Sequence, residues 1–122
     1  MLRILAVAAL TAVSALPQAA PPSQFLLRIA PVRQDLTPQN LTAEERQLAA
    51  EHFAYLKALF ADGKIALAGQ VLDPKGLWGI IVVNAPDAEA ATALLNGDPS
   101  VKGKMFRDEA IPFRTVLQRP PQ

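Results

Sequence analysis

The chain carries a single histidine, His52, and no cysteine, so proton transfer near neutral pH would centre on that one imidazole. Leu48, His52, Tyr55, Leu56 and Leu59 recur at three- and four-residue spacing, which puts the ring on the apolar stripe of a helix and not on its solvent face. Two readings of His52 are open: a packed histidine with a backbone or water partner, or a general acid/base. Asp98, immediately before Pro99, is the natural carboxylate partner. A carboxylate accepting from one ring nitrogen fixes the tautomer and supports the protonated state. Asp98 is equally suited to cap the turn that follows it. Tyr55 and Trp78 are candidates for the wall of an aromatic, substrate-binding pocket, although either side chain can be plain core. Arg28 lies amid Phe25, Leu26, Leu27 and Ile29. It must reach an edge, an acid or an anionic ligand, because an unpaired buried charge is costly, and it is the third substrate-binding candidate.

Other chemistries lack their donors. There is no Gly-rich phosphate loop, no nucleophile elbow and no second histidine, so nucleotide, serine-hydrolase and zinc readings have nothing to stand on. Neither a metal nor a cofactor is expected. The missing cysteines remove disulfides, thiolate ligands and a lipid-bearing residue. Twelve basic residues are scattered against eleven acidic ones without a basic run interleaved with aromatics, so nucleic acid is not an expected partner. Asn40-Leu41-Thr42 has the form of a glycosylation sequon but reads as loop and helix cap.

The elements that must position these residues follow an amino-terminal leader. Arg3 precedes an uncharged, largely apolar run from Ile4 to Leu16, too short to span a bilayer comfortably and shaped like a signal peptide. Pro17, Pro21 and Pro22 interrupt any helical continuation. Residues 1–20 are therefore read as a signal peptide, 21–24 as a linker, 25–118 as one domain and 119–122 as a tail. The expected location is periplasmic or secreted, with no stable membrane anchor after cleavage. Loss of the leader takes Arg3 with it and leaves eleven bases facing eleven acids.

Within the domain, Phe25 to Arg33 reads as a strand. Thr42-Ala43-Glu44-Glu45 is a capping box that starts a helix, and Gly63 suits its left-handed end near Asp62. Ile65 to Leu72 and Leu77 to Asn84 form a hairpin about Asp73-Pro74-Lys75-Gly76. Asn84-Ala85-Pro86-Asp87 opens a second helix from Ala88 to Leu95, with Pro86 as its starting proline. Asp98 to Val101 reads as a turn or one helical turn. Met105 to Leu117 holds a last strand, with Pro112 at an edge or bulge. The order βαββαβ is an α+β, ferredoxin-like arrangement of two helices on a four-stranded antiparallel sheet. In the hairpin, Leu67, Val71, Ile81 and Val83 form one alternating set and Ala66, Ala68, Leu72, Ile80 and Val82 the other. Both are apolar, so a second subunit is expected to cover the face the helices leave open.

From about Phe25 to Leu117 the chain resembles the YciI-like (YCII-related domain) family. The resemblance rests on His52 with Tyr55, Gly63, Gly69, the run Asp73-Pro74-Lys75-Gly76-Leu77-Trp78-Gly79, Asp98-Pro99, and Phe106, Glu109 and Pro112 in the last strand. It implies pairing of two ferredoxin-like domains into a dimeric α+β barrel, with His52 and Asp98 at the positions of a proposed catalytic pair. Relatives in the wider superfamily include muconolactone-isomerase-like and dehalogenating lactone enzymes, as well as heme-binding and monooxygenase-like barrels. Family members often have Gly-Pro where this chain has Gly69-Gln70, so the pocket edge there is expected to differ. Two functions follow: a metal-independent acid/base enzyme acting on a small carbonyl- or lactone-type compound, or a noncatalytic small-ligand-binding or dimeric structural domain.

Overall fold

The computed structural model describes residues 11–13, 23–120 and 122; the expected signal peptide lies, apart from residues 11–13, outside them. The elements run β1 (Gln24–Pro31), α1 (Ala43–Ala61), β2 (Ile65–Asp73), β3 (Gly76–Asn84), α2 (Ala88–Asn96), α3 (Pro99–Lys102) and β4 (Phe106–Phe113). The four strands form an antiparallel sheet in the order β2-β3-β1-β4, the ferredoxin-like topology that the element order implies.

Local chemistry fixes the ends of α1. The Thr42 hydroxyl accepts from the Glu45 N–H at 3.1 Å while Glu45 Oε2 accepts from the Thr42 N–H at 2.8 Å, so two of the free amides at the helix start are satisfied. Arg33 adds a fork onto the same glutamate, with Nη2 to Oε2 at 2.8 Å and Nε to Oε1 at 3.1 Å. That bond ties the exit of β1 to the start of α1 and holds the Glu45 carboxyl below its ordinary range. At the other end Gly63 takes φ +72°, the left-handed conformation that glycine adopts without a Cβ penalty. In the β2–β3 turn Asp73 Oδ1 accepts from the Lys75 N–H at 2.8 Å. For α2, Asp87 is the cap and accepts from the Ala90 N–H at 2.8 Å. Pro86 therefore stands before the cap and is not the first helical residue.

Strand pairing decides which side chains meet the helices. Phe25 faces Val83, and Leu27 faces Ile81; together with Ile29 and Ile65 they form the core against Leu59 of α1 and Ala91 and Leu95 of α2. β2 carries a register shift between Ile65, opposite Val83, and Leu67, opposite Val82. The extra residue, Ala66, turns the rest of the strand over, because side-chain direction alternates with every residue. Leu67 and Val71 thus share a face with Val82 and Trp78, not with Ile81 and Val83 as simple alternation suggests, and Ala68 joins Ile81. β1 stops at Pro31 and β4 at Phe113, short of the expected Arg33 and Leu117. Phe113 pairs with Gln24, the first residue of β1, so beyond it β4 has no strand to bond.

The face turned away from the helices presents Leu26 between Val82 and Ile111. Leu67, Ile111 and Phe113 are exposed there at 51%, 39% and 38%. Among the described residues no element covers this face.

Candidate active site

Asp98 sits between α2 and α3, where the second helix ends and the chain turns back toward α1. It is only 2% exposed and is the N-cap of α3. Oδ1 accepts from both the backbone N–H of Ser100 at 2.9 Å and its hydroxyl at 2.7 Å. Oδ2 lies 2.6 Å from Nδ1 of His52, within the range of a short charge-assisted hydrogen bond. The capping and pairing readings of Asp98 are both realised, one by each oxygen. Burial pushes the Asp98 carboxyl up, but the hydrogen bonds from His52 and Ser100 outweigh it and hold the group below its ordinary range. An ionised carboxylate only accepts, so Nδ1 carries the hydrogen of that bond and Nε2 is the nitrogen left for chemistry. The Ser100 hydroxyl also lies 3.3 Å from Nδ1, a secondary contact within the same cluster.

His52 borders a cavity of about 420 Å³ between α1 and the helix-facing side of β2 and β3, within the range of small-molecule sites. Its walls are apolar apart from His52 and Gln70, with Phe53 and Leu56 of α1 on one side and Leu77 and Ile81 of β3 on the other. Phe106 of β4 meets the imidazole edge-on, centroids 5.7 Å apart. This packing restricts the orientation of the ring.

The other expected substrate-binding residues are placed differently. Tyr55 donates its hydroxyl to the Leu94 carbonyl at 2.7 Å, tying α1 to α2, and it is not part of the cavity lining. Burial first, and then the negative charge of Asp98, raises that phenol above its ordinary value. Trp78 is among the residues bordering the cavity, but its register with Ile80 and Val82 puts its ring on the open face, where its indole N–H donates to Asp73 at 3.2 Å. Arg28 stands over the Trp78 ring at 5.3 Å from the centroid in a cation–π contact. Arg28 pairs with Ile80 on the open face, beside Glu109 and Arg107, and does not line the cavity. The sequence thus gives Arg28 a charge that must find a partner, and the partner is an aromatic face instead of a ligand.

Two residues at the site escape sequence reasoning. Ser100 is fully buried, and its only signal is its place two residues after a helix cap. Asp108, opposite Ile29 in β4, has a buried oxygen, Oδ2, with no hydrogen-bond partner among the described residues. Burial, and then the charge of Asp98, raises its carboxyl above the ordinary range. Among the described residues no group of three or more His, Cys, Asp or Glu is placed to hold a metal ion.

Comparison with known proteins bears on the fold and the family. No curated protein is similar enough to match. Among solved structures, the chain is similar to 5-chloro-2-hydroxyhydroquinone dehydrochlorinase from Burkholderia phenoliruptrix AC1100, determined in complex with 2,5-dihydroxybenzoquinone. The two share 21% identity at a TM-score of 0.56, over 75% of this chain and 93% of that one, a likeness of fold. Residues 25–114 match the YCII-related domain, a span that holds all of the sheet but its first residue, both long helices and the His52–Asp98 pair, and the chain belongs to that family.

Proposed function

We propose that this protein is a small acid/base enzyme in which His52 moves a proton on a carbonyl-, lactone- or phenol-type compound and Asp98 orients it. The observation that carries this reading is the 2.6 Å pairing of the lone histidine with a buried carboxylate at the wall of an apolar cavity. Asp98 holds the hydrogen on Nδ1, so the lone pair of Nε2 is available to take a proton from carbon beside a carbonyl or from a ring hydroxyl. The imidazolium so formed is stabilised by the ionised Asp98, and the same nitrogen can return the proton at a second position. Such chemistry needs a base, an orienting group and a dry pocket, and no metal. The structural neighbour is named for a ring dehydrochlorination, a net loss of hydrogen and chlorine that requires proton transfer.

The same reading includes export, from Arg3 and the apolar run through Leu16, and a homodimer formed through the open sheet face. Mass spectrometry of protein from the native host should find a new amino terminus between about residues 16 and 22. Recovery with the leader intact would refute export.

The catalytic reading is tested by screening small lactones, ketones and chlorinated hydroquinones for proton exchange in heavy water or chloride release. His52→Ala should lower the rate by about 10²- to 10⁴-fold with the circular dichroism of the fold preserved. A rate that survives His52→Ala would end the acid/base reading.

A further inference from the structure

The cavity beside His52 holds no charged side chain. Arg28 and Arg107 face the other side of the sheet, and Lys57 lies against the Phe53 ring, 5.7 Å from its centroid, outside the lining. A carboxylate or phosphate entering this space would lose water without gaining a counter-ion, which is costly. One polar residue besides His52 borders the cavity: Gln70 of β2.

Its position follows from the bulge at Ala66. Ala68 pairs with Ile81 and Gln70 with Gly79, so the shifted register turns Gln70 toward α1. Gly79, opposite it, has no side chain to fill the space between Ile29 and Gln70, and a Cβ there would already stand 3.1 Å from the Gly69 carbonyl oxygen. Gln70 is exposed, and its carboxamide makes no side-chain hydrogen bond among the described residues. A free carboxamide both donates and accepts and carries no charge.

We propose that Gln70 determines the specificity of this cavity by binding a neutral polar substituent, a hydroxyl or carbonyl, on an otherwise apolar single ring. The substrate class is then an uncharged phenol, quinone or lactone without a carboxylate or phosphate. This rests on the acid/base reading only in placing the reacting atom at His52; the binding itself does not.

The test is a titration of wild-type protein and Gln70→Leu, followed by NMR, with three probes at neutral pH: hydroquinone, toluene and 4-hydroxybenzoate. Gln70 lies on an exposed edge strand, so the substitution leaves the core untouched. In the wild type, hydroquinone should bind at least tenfold more tightly than 4-hydroxybenzoate. Gln70→Leu should weaken hydroquinone by about tenfold, the scale of one hydrogen bond, without weakening toluene. The proposal is overturned by equal binding of the carboxylate, by an unchanged hydroquinone affinity in Gln70→Leu, or by no hydroquinone binding at all. None of these outcomes involves turnover, so the catalytic reading, judged by the loss of activity in His52→Ala, fails or stands separately.

Discussion

Ser100 gives both its backbone N–H and its hydroxyl to one oxygen of Asp98, leaving the other oxygen to His52. The hydroxyl is fully buried, so its removal leaves Asp98 Oδ1 with the backbone bond alone. Ser100→Ala should cost about 2 kcal/mol, the range for hydrogen bonds to charged groups, measured as a lower urea midpoint at pH 7. It should also raise the pH at which Asp98 protonates, read by carboxyl ¹³C NMR. An unchanged Asp98 titration would show that the hydroxyl does not support the carboxylate.

Asp98 and Asp108 should contribute to stability with opposite pH dependence. The folded value of Asp98 is lowered, so its stabilisation is present above the unfolded value of about 3.9 and is lost as pH falls through the folded one. The folded value of Asp108 is raised, so a penalty for its ionised form develops as pH rises from about 3.9 through that folded value. Asp108→Asn should therefore raise the urea midpoint at pH 7 and have little effect at pH 3. Asp98→Asn should lower the midpoint at pH 7 and flatten its fall in acid. A destabilised Asp108→Asn at pH 7 would mean that the carboxylate has a favourable partner.

Gly97 is required by close approach and not by backbone conformation, since its φ is −79°. A Cβ at this position would stand 2.5 Å from the Tyr55 hydroxyl oxygen and 3.3 Å from the ring carbon bearing it. Gly97→Ala should push the phenol off the Leu94 carbonyl and cost about 1–3 kcal/mol, as overpacking does. The double variant Gly97→Ala, Tyr55→Phe, which lacks the clashing oxygen, should recover part of that loss in thermal denaturation. No recovery would place the strain elsewhere.

Much of the scaffold is legible in the sequence because its signals are local. The Thr42–Glu45 capping box, Gly63 after α1 and the Asp73–Gly76 turn each depend on residues a few positions apart, and each appears where its chemistry puts it. The helical stripe likewise places His52 on the buried side of α1. What the sequence hides is long-range or one residue deep. The bulge at Ala66 inverts β2 and sends Leu67 and Val71 to the open face, which no alternation count detects. Tyr55 shares the stripe of His52 but lies toward α2, where a free carbonyl takes its hydroxyl. Trp78 and Arg28 partner each other across neighbouring strands, a pairing fixed by β1–β3 register. Ser100 and Asp108 join the Asp98 cluster only through the packing of α3 on β4.

The open sheet face should pair with a second copy of itself, because Leu67, Ile111 and Phe113 leave exposed apolar surface there beside Leu26 and the already buried Val82. Light scattering at micromolar concentration should give the mass of a dimer. Ile111→Asp, placing two like charges near the pairing axis, should give a monomer with unchanged secondary structure. A wild-type monomer would remove the dimeric part of the account.

The most direct test of the central claim is ¹⁵N NMR of the imidazole, which is unambiguous because the chain has one histidine. The neutral imidazole should carry its hydrogen on Nδ1, bonded to Asp98, and addition of hydroquinone should shift Nε2 and leave Nδ1 nearly unmoved. A hydrogen found on Nε2, or an Nε2 signal indifferent to every ring compound that binds the cavity, would contradict the assignment of His52 as the proton-transfer group.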